Sequence, residues 1–191
     1  MDYLVAQCKR SEIRDFIEKW HYSHNINGLM SDYCFKLMRG DELIGGMIFG
    51  RLAMANQWRK YVDSPEKIIE LRRLVLVDDT KRNAESYFIG KCLRWLRQNT
   101  DIKKVVSYAD PEYGHSGVIY KATNFKLVGK SSKGKVIMWN GKKYHDKAIR
   151  TKYKGKLKPF AQRLKKALET GQAFYKPTQG KYIYLISLGG L

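Results

Sequence analysis

Two apolar runs, IIELRRLVLV (68–77) and KKVVSYAD (103–110), bracket the amphipathic stretch SYFIGKCLRWLRQN (86–99). This strand–helix–strand order constrains the fold more than any other feature. The apolar residues Phe88, Cys92, Trp95 and Leu96 recur at helical spacing and form one inward face. Strands that alternate with helices in this way build an α/β layer around a mixed, partly parallel central sheet flanked by helices. In such sheets ligands bind beyond the carboxyl ends of the strands. That rule singles out two connections, Asp78 to Ser86 and Asp110 to Ser116.

The remaining segments extend the same pattern. YLVAQC (3–8) reads as a strand and SEIRDFIEKW (11–20) as a helix with a Ser11 N-cap, burying Ile13, Phe16, Ile17 and Trp20. YCFKLM (33–38) and LIGGMIFG (43–50) form a hairpin around RGDE, and AMANQWRKYVDSPEK (53–67) is an irregular, aromatic-rich excursion. A short helix over 116–123 and a strand over 125–132 follow. KVIMWNGKKY forms a hairpin around Asn140-Gly141, KPFAQRLKKALETG (158–171) a basic amphipathic helix ended by Gly171, and KYIYLISL (181–188) a closing strand. No apolar run reaches the roughly 18 residues of a membrane-spanning helix, and MDYLVAQCKRSE lacks a secretory pattern. Cys8, Cys34 and Cys92 are widely spaced, which argues against a disulfide framework and fits thiols that fill core space in a reducing compartment.

Charge is distributed unevenly. Of the net +19, residues 126–191 carry +15, from 17 Lys/Arg against 2 Asp/Glu. An excess this one-sided points to a polyanionic partner, with nucleic acid fitting it best and no membrane segment to anchor.

Several residues can carry chemistry. Asp110 ends an apolar strand, where partial desolvation suits a general base; equally, it can cap the following helix or a turn before Pro111. His115 follows Gly114, which permits close approach to a ligand or a plain backbone hydrogen bond, whereas Glu112 is expected to face solvent. Tyr22, Tyr108 and Tyr113 can stack on a planar base, although packing is the default for Tyr108. His21 and His24, in HYSH, stand at i, i+3, a weak metal-ligand spacing. Glu70 and Arg72 share one face of their strand and Arg73 takes the other, so at least one of these charges needs an internal partner or a ligand phosphate. Lys81, Arg82 and the first turn at Ser86 can receive an anionic cofactor, or Asn83 and Ser86 can simply cap the helix.

The element order resembles the GNAT superfamily of N-acetyltransferases. WHYS (20–23), ELRRLVL (70–76), AESYF (84–88), SYADPEYGHSGVIYKATNF (107–125) and KYIYLISL more specifically resemble the Mom family of phage DNA-modification proteins. The resemblance implies a GNAT-like core over 1–132 with a basic C-terminal part over 133–191. It implies conversion of adenine in double-stranded DNA to N6-carbamoylmethyladenine, in the cytoplasm of the bacterial host, as protection against restriction. An acyl-CoA-type small-molecule donor and iron are implied as well. Position by position, Arg72 or Arg73, Ser86 and Asp110 match the motif positions of function, and His21 and His115 match its histidines, the metal ligands if any. Lys142, Lys143, Lys165 and Lys166 then form part of a clamp on the DNA backbone, and the tyrosines stack a flipped adenine. One departure stands out: the superfamily's phosphate loop, Arg/Gln-x-x-Gly-x-Gly/Ala, reads here Arg82-Asn-Ala-Glu85-Ser-Tyr87. Two alternatives remain open, an acyltransferase for another amine and a DNA-binding protein that has lost catalysis.

Overall fold

A computed structural model of the chain describes residues 3–22, 24 and 26–189. In chain order its elements are β1 (Tyr3–Cys8), α1 (Arg10–Trp20), β2 (Tyr33–Arg39), β3 (Glu42–Gly50), β4 (Ile68–Leu76), α2 (Ala84–Asn99) and β5 (Lys104–Ala109). There follow α3 (Val118–Ala122), β6 (Lys126–Lys130), β7 (Gly134–Trp139), β8 (Lys142–His145), β9 (Lys152–Tyr153) and β10 (Lys156–Leu157). The chain ends with α4 (Pro159–Glu169), β11 (Ala173–Thr178) and β12 (Tyr182–Ser187). Contacts divide these elements into two units. One holds the residues up to Ala109, Ser116–Gly129 and those from Tyr182 on; the other holds Asp110–His115 and Lys130–Lys181.

The first unit is a seven-stranded sheet in the order β1-β2-β3-β4-β5-β12-β6. Side-chain alternation in β2 and β3 divides the apolar residues between its two faces. Phe35, Leu37, Met47 and Phe49 pack with Phe88, Ile89, Cys92 and Leu96 of α2. Cys34 and Ile48 pack with Ile13 and Ile17 of α1. The expected helix flanks are thus present on both faces.

Two details of α1 differ from expectation. Its N-cap is Lys9 and not Ser11, because Glu12 reaches back to accept the Lys9 N–H at 2.7 Å. Trp20, the last helical residue, is exposed.

β4 and β5 are parallel, as the strand–helix–strand order requires, but their ladder has only four rungs, from Ile68–Lys104 to Leu71–Ser107. Beyond the last rung β4 stays paired with β3 as far as Leu76, and β5 stays paired with β12 as far as Ala109. The two strands therefore fork. The register between β3 and β4 slips at the same height: Phe49 faces Leu71 while Ile48 faces Arg73, which leaves Arg72 as the extra residue of a β-bulge. A bulge bends its strand and disrupts pairing locally, which accounts for the fork.

The final strand does not stay with the basic C-terminal residues. β12 lies between β5 and β6 in the main sheet, where Tyr184 and Leu188 join the core. Tyr184 is 1% exposed and its hydroxyl donates to the Ser116 carbonyl at 2.7 Å. Gly117 lies against that ring at φ +80°, and a Cβ there would fall 2.2 Å from it. Gly117→Ala is accordingly expected to cost about 2–4 kcal/mol in denaturant unfolding. Gly114→Ala, at a similar φ of +75° but in open space, should cost about 1 kcal/mol.

The second unit has its own small core. β7 is paired on one side with β8, through a turn in which Asn140 and Gly141 both have positive φ. On its other side β7 pairs with β11, a strand whose AFYKPT composition gave little warning of it. Leu164 and Ala167 of α4 pack on Ile137 and Ala173. β9 and β10 form a separate two-stranded hairpin.

Candidate functional site

The fork gathers the polar groups of the first unit. Glu70 and Arg72 form an ion pair at 3.4 Å with side chains 13% and 12% exposed, as their shared strand face suggested. Arg72 also donates to the Arg51 carbonyl from Nη2 at 2.8 Å and from Nε at 3.2 Å. This guanidinium is therefore used internally. Arg73 is partly buried and donates to the Arg72 carbonyl at 2.7 Å; burial holds its pKa below the usual arginine range.

Ser107 is fully buried and its hydroxyl donates to the Leu71 carbonyl at 3.2 Å, tying the strands together at their last rung. Tyr108 follows, and its hydroxyl accepts from Gln57. Burial, and then the charge of Glu70, push the Tyr108 phenol up to about 12. Tyr120 bonds to Ser107, and burial raises its phenol as well. Its ring packs 5.3 Å from Tyr184. Ser107, Tyr120 and Gln57 were missed in the sequence. Ser107 and Tyr120 lie within the 107–125 block, where alternation in SYA and the short helical face of VIYKA could have indicated them.

The connection from β4 leads to the N-terminus of α2, where Ala84 to Ser86 form the first turn and Asn83 has φ +70°. Ser86 is half-buried, and Lys81 and Arg82 are exposed. The Lys81 N–H donates to the Tyr3 hydroxyl at 3.2 Å, and the Tyr87 hydroxyl donates to the Tyr3 carbonyl at 3.1 Å. Glu85 sits exposed in this first turn, where it opposes an incoming phosphate. At the end of α1 the His21 ring is buried 4.2 Å from the half-exposed Tyr22 ring. His24 turns back to its own helix, with Nδ1 3.0 Å from the Glu18 carbonyl. Ser23 of the WHYS motif lies outside the described residues.

In the second unit Asp110 is 7% exposed. Its carboxylate accepts the Glu112 N–H at 3.1 Å and pairs with the Lys181 ammonium at 3.1 Å. It thereby caps the Pro111–Tyr113 turn and not the helix over 118–122. His115 is exposed and donates its N–H to the Asp110 carbonyl at 3.2 Å. Glu112 is exposed, as expected, and also engaged. Lys143 lies 2.6 Å from its carboxylate, the Gln179 N–H donates to it at 3.1 Å, and the Lys143 contact holds its pKa below the usual range. Lys143 is itself exposed and also sits over the half-exposed Tyr113 ring at 5.1 Å, so its ammonium is shared between Glu112 and that ring. Lys142, Lys165 and Lys166 are exposed, with Lys165 3.8 Å from Glu169.

His21 and His115 thus belong to different units. Among the described residues no three His, Cys, Asp or Glu side chains are placed to share an ion, so the donor set does not fit iron. Cys34 and Cys92 are buried; burial pushes the Cys8 thiol up to about 12 and Cys92 well above its ordinary value, against a nucleophilic role. No described helix is long and apolar enough to cross a membrane.

Among solved structures, Arabidopsis thaliana NAA60 in complex with acetyl-CoA superimposes with a TM-score of 0.58 at 12% identity, covering 99% of this chain and all of that one. The ribosomal-protein-S18-alanine N-acetyltransferase of Escherichia coli gives 0.54 at 8% identity, covering 100% and 96%. A GNAT-family acetyltransferase from Streptococcus pneumoniae gives 0.53 at 7%, covering 98% and 100%. At such identities the likeness concerns the fold, and that fold is GNAT-like. In sequence, the chain is 31% identical over 137 residues to the methylcarbamoylase mom of Escherichia phage Mu, covering 70% of this chain and 56% of that protein. It therefore spans little more than half the length of that relative. The profile of the Mom protein family matches residues 2–188, nearly the whole sequence, and the chain belongs to that family.

Proposed function

We propose that this chain is a transferase that modifies adenine in double-stranded phage DNA, placing a carbamoylmethyl group on N6 in the host cytoplasm and so shielding the DNA from restriction. The observation that carries this reading is the family match over residues 2–188. The phage Mu relative is a methylcarbamoylase, which supports the group transferred. The charge of +15 on residues 126–191 supports a duplex partner.

The chemistry sets what the residues must do. An adenine inside a duplex has to be flipped out before its N6 can react, and aromatic side chains stack the extruded base. Tyr22, Tyr108 and Tyr113 are assigned that role. The N6 lone pair is delocalised into the purine ring, so the amine must lose a proton as its bond to the donor carbon forms and the donor's leaving group departs. Asp110 is assigned as the acceptor of that proton, with His115 or His21 assisting. A small-molecule donor of CoA type, whose leaving group departs from the methylene carbon that N6 attacks, would bind at the N-terminus of α2 through Ser86, Lys81 and Arg82. Arg72 or Arg73 is assigned to hold a carboxylate or phosphate of that donor.

Glu85 favours a second reading, a DNA-binding protein on a GNAT-like scaffold without catalysis, because its carboxylate repels a donor phosphate at the first turn of α2. Mass spectrometry of nucleosides from bacteria that express the protein separates the two. A new deoxyadenosine derivative is expected. Unmodified nucleosides from cells whose protein binds DNA in vitro would favour the binding reading. An acyl group found instead on RNA or protein amines would favour another amine substrate.

A further inference from the structure

Residues 150–158, RTKYKGKLK, carry a cation at every second position. In one continuous strand that spacing would gather the charges on a single face. Here the chain reverses at Lys154 and Gly155, with φ of +47° and +77°, the geometry of a tight hairpin turn. Tyr153 then pairs with Lys156, and Lys152 with Leu157. Lys156 therefore shares the face of Tyr153, Lys152 shares the opposite face with Leu157, and Lys154 sits at the tip.

Residues 152–156 are all exposed, Tyr153 by 66%. The hairpin is held at its base, where the Lys158 N–H donates to the Thr151 carbonyl at 2.9 Å and Gln162 to the Leu157 carbonyl at 3.1 Å. An open cleft of about 590 Å³ is lined by Tyr153, Lys154, Lys156, Leu157, Lys158 and Pro159. Arg150 is neutralised by Asp146 at 3.2 Å. Lys152, Lys154, Lys156 and Lys158 have no carboxylate partner among the described residues. Four like charges on so short a ribbon lie within a Debye length of about 8 Å or little more and repel one another. The hairpin contributes no residue to the core of its unit. Its composition is therefore unexplained by folding and is explained by a polyanion that neutralises both faces at once.

The shape selects among polyanions. A two-stranded ribbon fits the major groove of B-DNA, about 12 Å wide, and not the minor groove of about 6 Å. A single-stranded partner would call for a platform of several aromatics, and this ribbon has one. We propose that the β9–β10 hairpin enters the major groove of duplex DNA, with Lys152, Lys154, Lys156 and Lys158 on the phosphates of the groove walls and Tyr153 against the base edges. This rests on the reading of duplex DNA as substrate and names the element that grips it.

The test uses the full chain and a fluorescent duplex, titrated over a range of salt. The triple variant Lys152→Ala/Lys154→Ala/Lys156→Ala is compared with the charge-matched Lys142→Ala/Lys165→Ala/Lys166→Ala. Each should flatten the slope of log affinity against log salt by up to about 3. Groove competitors discriminate between them. Methyl green, which occupies the major groove, should displace the unaltered protein and the charge-matched variant, and should act markedly less on the hairpin variant. Netropsin, which occupies the minor groove, should displace none. Tyr153→Ala keeps every charge and should weaken binding about threefold to tenfold with an unchanged salt slope. Equal sensitivity of the two triple variants to methyl green, or displacement of the unaltered protein by netropsin, would overturn the hairpin assignment and leave duplex binding intact. Failure of the unaltered protein to bind the duplex would overturn both.

Discussion

Arg72→Met is expected to destabilise the protein by about 3–5 kcal/mol, and adding Glu70→Gln to it should restore most of that loss. The pair is 3.4 Å apart with both side chains about one-eighth exposed, so removing the guanidinium takes the opposite charge away from a carboxylate with little access to water. It also removes the two hydrogen bonds that hold the Arg51 carbonyl. Glu70→Gln alone leaves the arginine with its carbonyl partner and should cost less. Denaturant unfolding of all four corners of the cycle gives the coupling directly, and additive losses would show that the ion pair contributes nothing. The same variant carries an optical readout. The charge of Glu70 is the second cause, after burial, that pushes the Tyr108 phenol up to about 12. Glu70→Gln should lower that pKa part of the way toward the ordinary value of about 10, because burial remains. Ultraviolet titration of the phenolate follows it. The stable double variant then separates scaffold from site: if it folds and binds DNA yet modifies none, the pair also serves the donor.

The parts of this fold that depend on local pattern were legible in the sequence. Helical spacing of Phe88, Cys92 and Leu96 between two apolar runs is enough to require a parallel pair, and alternation is enough to put Glu70 and Arg72 on one face. What depends on pairing between distant strands was not legible. The fork exists because Arg72 is bulged between Ile48 and Phe49 of β3, and nothing in ELRRLVL names its partner. β12 reads as a strand, but its place between β5 and β6 is set by the neighbour that it covers. β9 and β10 are two residues each, shorter than any periodicity can register. At the 107–125 block, the pattern left Asp110 open between proton acceptor and turn cap. The structure supplies the cap and a partner, Lys181, far along the chain. The family resemblance was carried by that same block, where several polar identities stand in fixed order and composition could not distinguish them from a crowded turn.

Asp110→Asn is expected to reduce modification about 10²- to 10⁴-fold, the range set by losing a positioned proton acceptor. The structure makes this a sharper experiment than the sequence alone allowed, because Asp110 has two structural duties that the substitution treats differently. An asparagine oxygen can still accept the Glu112 N–H and keep the Pro111–Tyr113 turn capped. The ion pair with Lys181 is lost, but that lysine is half-exposed, so the cost to stability should be about 1 kcal/mol or less. Lys181→Met removes the same ion pair and leaves the carboxylate in place. If Asp110 acts only by holding Lys181, the two variants fall together in activity. If Asp110 accepts the N6 proton, Lys181→Met retains activity within about tenfold while Asp110→Asn does not. Duplex affinity should be nearly unchanged in Asp110→Asn, because the substitution removes a negative charge and no cation. Modification by Asp110→Asn at close to the unaltered rate would remove this residue from the chemistry and leave His115 as the next group to replace.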